Sequence, residues 1–206
     1  MFDPGFAASL ASLSDHLSSL GQQEDALVAI QEAVDLHRQL AWDRPVAFDL
    51  DLAMSLNSLS DRLSSLGRQE DALAAIREAV ELRRQLARDR PVVFNPKLAM
   101  SLHNLSIDLS ALDHPEEALA AAKEAVELYR PLAKESPAVF KSDLVDALRL
   151  LPDLFRDLGQ EEDAVAAEQE ADALDSFEAS SDSDDTDASS EASSGSDDAD
   201  TSSSLA

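Results

Sequence analysis

Four histidines and several pairs of adjacent carboxylates are the side chains in this sequence most able to do chemistry. Paired acids such as Glu70-Asp71 could act as an acid and a base, but neighbouring residues point to different sides of a helix. No two histidines have the i, i+4 spacing with which a helix holds a metal. We therefore predict no catalytic site, no metal site and no cofactor. The histidines, assigned to ordinary surface or groove positions, are His16, His37, His103 and His114.

Two serines near the C-terminus are each followed three residues later by an acid. Ser181 precedes Asp184, and Ser194 precedes Asp197. Acid-directed kinases suit serines in this setting, and each phosphate adds further negative charge. Phosphorylation of Ser181 and Ser194 is one interpretation of the segment, and an unmodified solubilising segment is the other.

The composition limits the classes of partner. The 206-residue chain carries 42 acids and 16 bases, a formal net charge of −26. Such a surface repels phosphates, so we predict binding to neither nucleic acid nor anionic membranes. The lack of cysteine excludes disulfides and thiolate chemistry, and it fits an intracellular chain.

Targeting signals are not apparent in the sequence. It contains no apolar run of the roughly 18 residues that a membrane helix needs. Asp3 and Asp15 interrupt the apolar N-terminus, which no basic segment precedes, so we predict no signal peptide. A cytoplasmic location is expected, and a nuclear one stays open.

One segment recurs at a fixed interval of 46 residues without a slip, starting at Leu20, Leu66, Leu112 and Leu158. A period of this size is typical of a solenoid, in which each unit buries its apolar face only against its neighbours. We place the four units at residues 3–48, 49–94, 95–140 and 141–175.

Each unit contains two amphipathic helical patterns, which we name helix A and helix B. In helix A of the second unit, five leucines from Leu52 to Leu66 recur at spacings of four and three and form one apolar stripe. Gly67 then ends the helix in the left-handed conformation that glycine adopts easily. The expected helices lie near residues 4–20, 23–42, 50–66, 69–88, 96–112, 115–134, 142–158 and 161–175.

Prolines mark the connection from one unit to the next. Pro91 is predicted to end helix B, because proline disfavours helical geometry in the residue before it. Phe94 then follows as an apolar plug in a short linker. Asp3-Pro4 and Asn95-Pro96 are predicted to open helices A, with the first residue of each pair as the cap.

The two ends of the array differ in polarity. In the last helix B, Glu168 and Asp172 stand where other units have Ile30 and Val34, so that face is predicted to meet water as a polar cap. The N-terminal helix keeps the apolar pattern of an inner unit. This end is therefore expected either to associate, with a homo-oligomer forming through it, or to be covered by a segment further upstream.

The last 31 residues, 176–206, form a serine- and aspartate-rich segment. Its only large apolar residues are Phe177 and Leu205. A segment of this composition cannot bury enough surface to offset its ordering entropy, so we predict a disordered acidic tail.

Residues 52–94, "LAMSLNSLSDRLSSLGRQEDALAAIREAVELRRQLARDRPVVF", resemble a tetratricopeptide repeat. The pattern is similar to the long repeats of kinesin light chains and to the 46-residue arrays of actinobacterial and fungal signalling proteins, which often follow an NTPase domain. The resemblance covers residues 3–175. It implies an all-α fold, a right-handed superhelical solenoid of four antiparallel helix pairs.

The resemblance also implies a binding surface, because helices A of this family line a concave groove for an extended peptide or a partner helix. Three carboxylates against one arginine make the matching row acidic, so the expected ligand carries a basic anchor. The residues carried over to this groove are Asp15, Asn57, Asp61, His103, Arg149 and Asp153.

Two functions follow from the resemblance. The first is a non-catalytic scaffold that binds a protein or peptide in the groove. The alternative is a C-terminal structural fragment of a larger signalling protein of the NTPase type, whose array mainly self-associates.

Overall fold

A computed structural model describes residues 3–181 of the chain, and every element within them is an α helix. Helices A are α1, α3, α5 and α7, and helices B are α2, α4, α6 and α8. Each helix packs against the next one along the chain, which confirms the predicted all-α solenoid of four helix pairs. The bounds are α1 Pro4–Ser19, α2 Gln23–Asp43, α3 Pro45–Ser65, α4 Gln69–Asp89, α5 Pro91–Ala111, α6 Pro115–Glu135, α7 Pro137–Asp157 and α8 Glu161–Ser181.

One apolar core runs through the array from α1 to α8. Leu56, Leu102 and Leu148 occupy the same repeat position in α3, α5 and α7, and all three are almost completely buried. On helices B, Ala33 and Ala79 are fully buried, which indicates close packing where only a small side chain fits. The stripe read from the sequence is therefore the seam between helices.

The turn from helix A to helix B follows the predicted glycine geometry. Gly67 has a φ of 74°, in the left-handed region. Its N–H donates to the Ser64 carbonyl over 3.0 Å, and the Arg68 N–H donates to the Leu63 carbonyl over 2.9 Å. These two bonds satisfy carbonyls that the end of a helix leaves free. In the third unit Asp113 takes the same conformation, with a φ of 59°.

The turn from helix B to helix A is shorter than predicted. Helix α5 begins at Pro91 rather than near residue 96, and only Arg90, with φ −140° and ψ 73°, separates it from α4. Proline fits the first helical position because its missing N–H would have no intrahelical partner there. Phe94 lies in the first turn of α5, and the Arg90 guanidinium lies 5.2 Å from the centre of its ring. Arg44 and Phe48 form the same kind of pair at 4.9 Å. Pro96 lies inside α5, so the predicted cap at Asn95 was wrong.

The start of the first helix was predicted correctly, whereas the end of the last helix was not. The Asp3 carboxylate caps α1 by accepting the Gly5 N–H over 2.9 Å, as predicted. Helix α8 continues to Ser181, past the predicted end at residue 175. The remainder of the predicted tail, with Ser194, lies outside the described residues. None of the helices in residues 3–181 combines the length and apolar character needed to cross a membrane.

Candidate partner-binding surface

The polar side chains that helices A turn away from helices B form a surface that we call the A-helix face. Adjacent helices A contact each other, α1 with α3 and α5 with α7. Across α1 and α3, Arg62 donates to Asp15 over 3.2 Å. Across α3 and α5, Asn104 donates to Asp61 over 3.3 Å. Two of the residues expected in the groove, Asp15 and Asp61, thus lie on one surface close to Arg62.

Asp61 is the most perturbed acid of this face. Burial by the surrounding protein raises the pKa of Asp61 to about 6; Arg62 opposes this effect, and Asp108 and Asp15 add to it. The residue is nevertheless exposed to solvent. Neighbouring helices that flank a surface carboxylate can displace much of its hydration and so raise its pKa. Arg62 therefore compensates the local negative charge only in part.

Asp108 lies beneath this surface and was not identified from the sequence. Its side chain is only 5% exposed, and it accepts hydrogen bonds from Ser60 over 2.7 Å and from Ser64 over 2.6 Å. Both serines belong to α3, so the carboxylate ties α5 to the preceding unit. Its negative charge also acts on Asp61.

Asn57 is not on the A-helix face, and its expected place in the groove was wrong. The residue is 6% exposed, and its side-chain oxygen accepts hydrogen bonds from Arg83 over 3.2 Å and from Ser101 over 3.0 Å. A buried amide needs such partners, because leaving it unpaired costs free energy. Asn57 is thus part of the junction between the second and third units.

Arg83 is the centre of that junction and was missed by the sequence analysis. Its side chain is 1% exposed, and it also donates to the Lys97 carbonyl over 2.8 Å and to Ser101. Burial lowers the pKa of Arg83 to about 10, against the opposing charge of Asp61. The signal was its spacing, because Arg83 falls three residues after Val80 on the apolar stripe of helix B.

The same repeat position carries a different polar group in each unit. His37 lies there in α2, Arg83 in α4 and Tyr129 in α6, and all three are buried. The Nδ1 atom of His37 lies 2.8 Å from the hydroxyl oxygen of Ser55 in α3. Burial lowers the pKa of His37, with Asp51 opposing. Polar contacts of His37 and Arg83 at this position thus join the first unit to the second and the second to the third.

The other expected groove residues lie on the second half of the array. His103 is half-buried, and burial lowers its pKa, against the nearby charges of Asp146 and Asp143. Arg149 pairs with Asp175 of α8. Asp153 is exposed and lies 3.3 Å from Arg156.

Opposite the A-helix face, helices B are joined by a repeated ion pair, which we call the Arg–Glu ladder. Arg38 pairs with Glu78 over 2.8 Å, Arg84 with Glu124 over 2.5 Å and Arg130 with Glu170 over 2.9 Å. Each arginine contacts the glutamate 40 residues later, on the next helix B. These ladder arginines already have acidic partners, which leaves less positive charge free on that side.

Two stretches of the chain, residues 52–89 and 98–132, match the family model described as tetratricopeptide repeat. These two stretches, 73 of the 206 residues, are therefore similar to tetratricopeptide repeats. A second model, described as anaphase-promoting complex subunit 5, matches residues 5–60. A sequence search of curated proteins gave no significant match.

Several solved structures share the tetratricopeptide-repeat fold of this chain. BtubC (BKLC) from P. vanneervenii has a TM-score of 0.73 at 17% identity, over 96% of this chain and 73% of that one. MamA has a TM-score of 0.62 at 16% identity, over 86% and 83%. Aspartyl phosphate phosphatase F from Bacillus subtilis has a TM-score of 0.65 at 16% identity, over 85% of this chain and 42% of that one. At these identities the likeness shows the fold alone.

The tetratricopeptide-repeat fold indicates a protein-interaction scaffold. Proteins of this repeat family generally bind proteins or peptides and are generally non-catalytic. Within residues 3–181, no group of three His, Cys, Asp or Glu side chains is placed to hold a metal ion. The fold does not by itself name a partner, because function depends on the residues that the repeats present.

Proposed function

We propose that this protein is a non-catalytic scaffold whose A-helix face holds a peptide or partner helix with a basic anchor. The observation that carries the proposal is the pair of carboxylates Asp15 and Asp61, which lie on one surface and share Arg62 as their nearby base. A ligand lysine or arginine would supply the positive charge that this surface lacks.

The packing of the helices supports a ligand on this side of the array. The helices A α1 and α3, and likewise α5 and α7, contact each other, whereas adjacent helices B are bridged by long arginine and glutamate side chains. This asymmetry supports our proposal that the array curves towards helices A and forms the groove on that side. A concave surface of this kind suits an extended chain that contacts several units at once.

Asp61 makes the proposed binding sensitive to pH. Its pKa is raised to about 6, so the carboxyl group is largely charged at pH 7 and largely neutral at pH 5. A ligand cation binds the charged form, and it should therefore bind more weakly as the pH falls through about 6. Affinity should also fall as salt rises, because exposed charges are screened over about 8 Å at physiological ionic strength.

The experiment uses a library of random dodecapeptides selected on the full chain. We expect the bound peptides to be enriched in lysine and arginine. A selected peptide should lose at least tenfold in affinity when Asp15→Asn and Asp61→Asn are combined. The matched control combines Asp89→Asn with Glu135→Gln, two exposed acids at the ends of helices B, and should leave binding unchanged. A selection without basic enrichment, or equal effects of both pairs, would contradict the proposal.

A structural role, in which the array mainly self-associates as part of a larger signalling protein of the NTPase type, is the second candidate. One observation favours it, namely the exposed apolar side chains Phe6 and Leu13 on α1 and Leu20 directly after it. Sedimentation velocity over a range of concentrations tests it. A dimer that disappears in Leu13→Glu would support self-association, and a monomer at high concentration would contradict it.

A further inference from the structure

The outer side of α1 has the chemistry of a junction between units but lacks one half of the junction. We call this surface the N-terminal face; it consists of Phe6, Ser9, Leu13 and Leu17 of α1 with Glu32 of α2. Phe6 is 50% and Leu13 is 48% exposed, whereas the same repeat positions in α5, Leu98 and Leu105, are 5% and 8% exposed. The difference arises because α5 packs on α4 of the preceding unit, while no described helix precedes α1.

The N-terminal face also has a free hydrogen-bonding position where inner junctions have a filled one. Ser55 of α3 and Ser101 of α5 are buried and contact His37 and Arg83 of the preceding helix B. Ser9 occupies the same repeat position in α1 but is exposed, and its hydroxyl group bonds only to the Gly5 carbonyl of its own helix, at 2.7 Å. A donor from outside can therefore reach the Ser9 oxygen.

Glu32 lacks the ion pair that the matching glutamates of the inner units form. It holds the same repeat position as Glu78, Glu124 and Glu170, each of which pairs with an arginine of the preceding helix B in the Arg–Glu ladder. Glu32 is exposed and has no ion-pair partner in the part of the chain that the structure describes. The face thus combines an apolar stripe with an unmatched carboxylate.

The inner helices B show what covers such a face. In α4 the buried stripe consists of Ile76, Ala79 and Val80, and it is followed by the donor Arg83 and the ladder arginine Arg84. The same order recurs in α2 and, with alanine first, in α6. The pattern is an apolar residue, two others, Ala-Val, two others, a hydrogen-bond donor and arginine.

We propose that the N-terminal face binds an amphipathic helix of this pattern, with its apolar stripe on Phe6 and Leu13, its donor at Ser9 and its arginine at Glu32. The site lies on the end of the array and is separate from the A-helix face of the proposed function. The partner is a helix that carries arginine within a small apolar stripe, of the kind that tetratricopeptide units present to each other.

The charges argue against a second copy of this chain as the occupant. In α8 the positions of the pattern hold Glu168, Asp172, Asp175 and Ser176, so the free end of the array has neither the stripe nor the arginine. Two N-terminal faces in contact would bring together two copies of Glu32 and supply no arginine to either. The complementary surface is therefore a helix of different sequence from α8.

The experiment uses the full chain and a synthetic peptide of residues 69–89, the sequence of α4. A lactam between Glu81 and a lysine introduced by Gln85→Lys holds the peptide helical, and both positions are exposed in the array. We expect one peptide to bind per chain in calorimetry. Leu13→Glu should weaken binding at least tenfold, and Glu32→Arg should weaken it about threefold to tenfold. A peptide with Arg84→Glu should regain affinity for the Glu32→Arg chain.

Two controls separate this site from the A-helix face. Glu135→Arg makes the same charge change on an exposed residue far along the chain and should leave peptide binding unaltered. Asp15→Asn with Asp61→Asn should also leave it unaltered, since the peptide, with Glu81 tied up in the lactam, keeps four acidic side chains and four arginines and is not a basic ligand.

Three outcomes would overturn the inference. They are no binding of the helical peptide, equal binding to the Leu13→Glu chain, and a homodimer of the unaltered chain that Leu13→Glu dissociates. Circular dichroism of each variant checks that it is folded; Leu13 is half exposed, so its replacement leaves the core intact.

Discussion

The first helix of the array leaves the apolar side chains of Phe6 and Leu13 half exposed. The last helix has Glu168 and Asp172 at the repeat positions where α2 has the buried residues Ile30 and Val34. In α8, Glu168 accepts a hydrogen bond from Arg156 over 2.6 Å, and Asp175 pairs with Arg149. The C-terminal end is thus covered by ion pairs between α7 and α8. Within residues 3–181, the N-terminal face has no equivalent ion pair and keeps the surface of an inner unit.

The repeats are therefore not interchangeable, although their sequences are similar. A repeat needs a neighbour on both sides to bury its apolar surface, and a unit at an end needs polar residues instead. Only the fourth unit carries that substitution. Binding at the two ends of the array should therefore differ, and each expectation below changes one end or one inner junction.

The largest effect should come from turning the C-terminal end into an inner surface. Glu168→Ile, Asp172→Val and Ser176→Arg together restore the stripe and the ladder arginine of an inner helix B. The new end should then bind the N-terminal face of another copy, and such head-to-tail contacts produce open chains. Sedimentation velocity should show species that grow with concentration. Adding Leu13→Glu to the same chain should return it to monomers; growth that persists would locate the contact elsewhere.

The next effect is on stability and compares Arg83 with Asp175, which hold the same repeat position in α4 and α8. Arg83 is buried and Asp175 is exposed. Arg83→Ala leaves a cavity and removes donors from Asn57, Ser101 and the Lys97 carbonyl. We expect the free energy of unfolding in urea to fall by about 3 kcal/mol. Asp175→Ala removes only an exposed ion pair and should cost less than about 1 kcal/mol. Similar losses for the two variants would mean that the buried contacts of Arg83 stabilise the array no more than the exposed ion pair of Asp175.

A smaller effect concerns Asp61 on the A-helix face, whose pKa is raised by burial. The folded pKa of Asp61, about 6, lies above its unfolded value of about 3.9. Between these values the folded state binds more protons, so the contribution of Asp61 to stability decreases as pH rises through this window. Asp61→Asn should raise the free energy of unfolding at pH 7, by less than about 1 kcal/mol because the group is partly solvated.

The same substitution should have little effect at pH 4, where Asp61 is protonated in the folded state. The control Asp89→Asn, at an exposed residue that ends α4, should show no such pH dependence. Urea titrations of both variants at the two pH values make the comparison. A loss of stability at pH 7 in Asp61→Asn would show that Asp61 stabilises the array through Arg62.

The smallest effect compares Glu32 with Glu78, which hold the same repeat position. A double-mutant cycle of Arg38→Gln and Glu78→Gln should give a coupling energy of about 0.2–1 kcal/mol, since the pair is exposed. Glu32→Gln should change stability less than Glu78→Gln does, because no described arginine contacts Glu32. Equal losses for the two glutamates would show that the ladder contributes little to the junction.

Much of the fold follows from local sequence patterns. The leucine spacing predicted helices A, and Gly67 and Asp3 were correctly predicted as a helix end and a cap because a positive φ and an exposed carboxylate are local requirements. The start of α5 was predicted wrongly. Both Pro91 and Pro96 suit the first turn of a helix, and only the packing of Phe94 into the core favours the earlier start.

The candidate site was less accessible from the sequence. Asp15 and Asp61 were identified by their matching positions, and the structure places both beside Arg62. Asn57 was expected on the surface and is buried. Its partners, Arg83 and Ser101, lie 26 and 44 residues away, so no local pattern links them.

The helices and most turns could be predicted from the sequence, because they depend on residues within one or two turns of each other. The period and the polar character of the last helix could be predicted because the four units can be compared position by position. Which polar residues are buried between units, and which remain on a surface, depends on the packing of the units against each other. Burial of Arg83 and Asp108 depends on donors and acceptors that only packing of successive units brings within about 3 Å. The exposure of Phe6 and Glu32 likewise depends on which neighbouring helix is present, and that is a property of the assembled array.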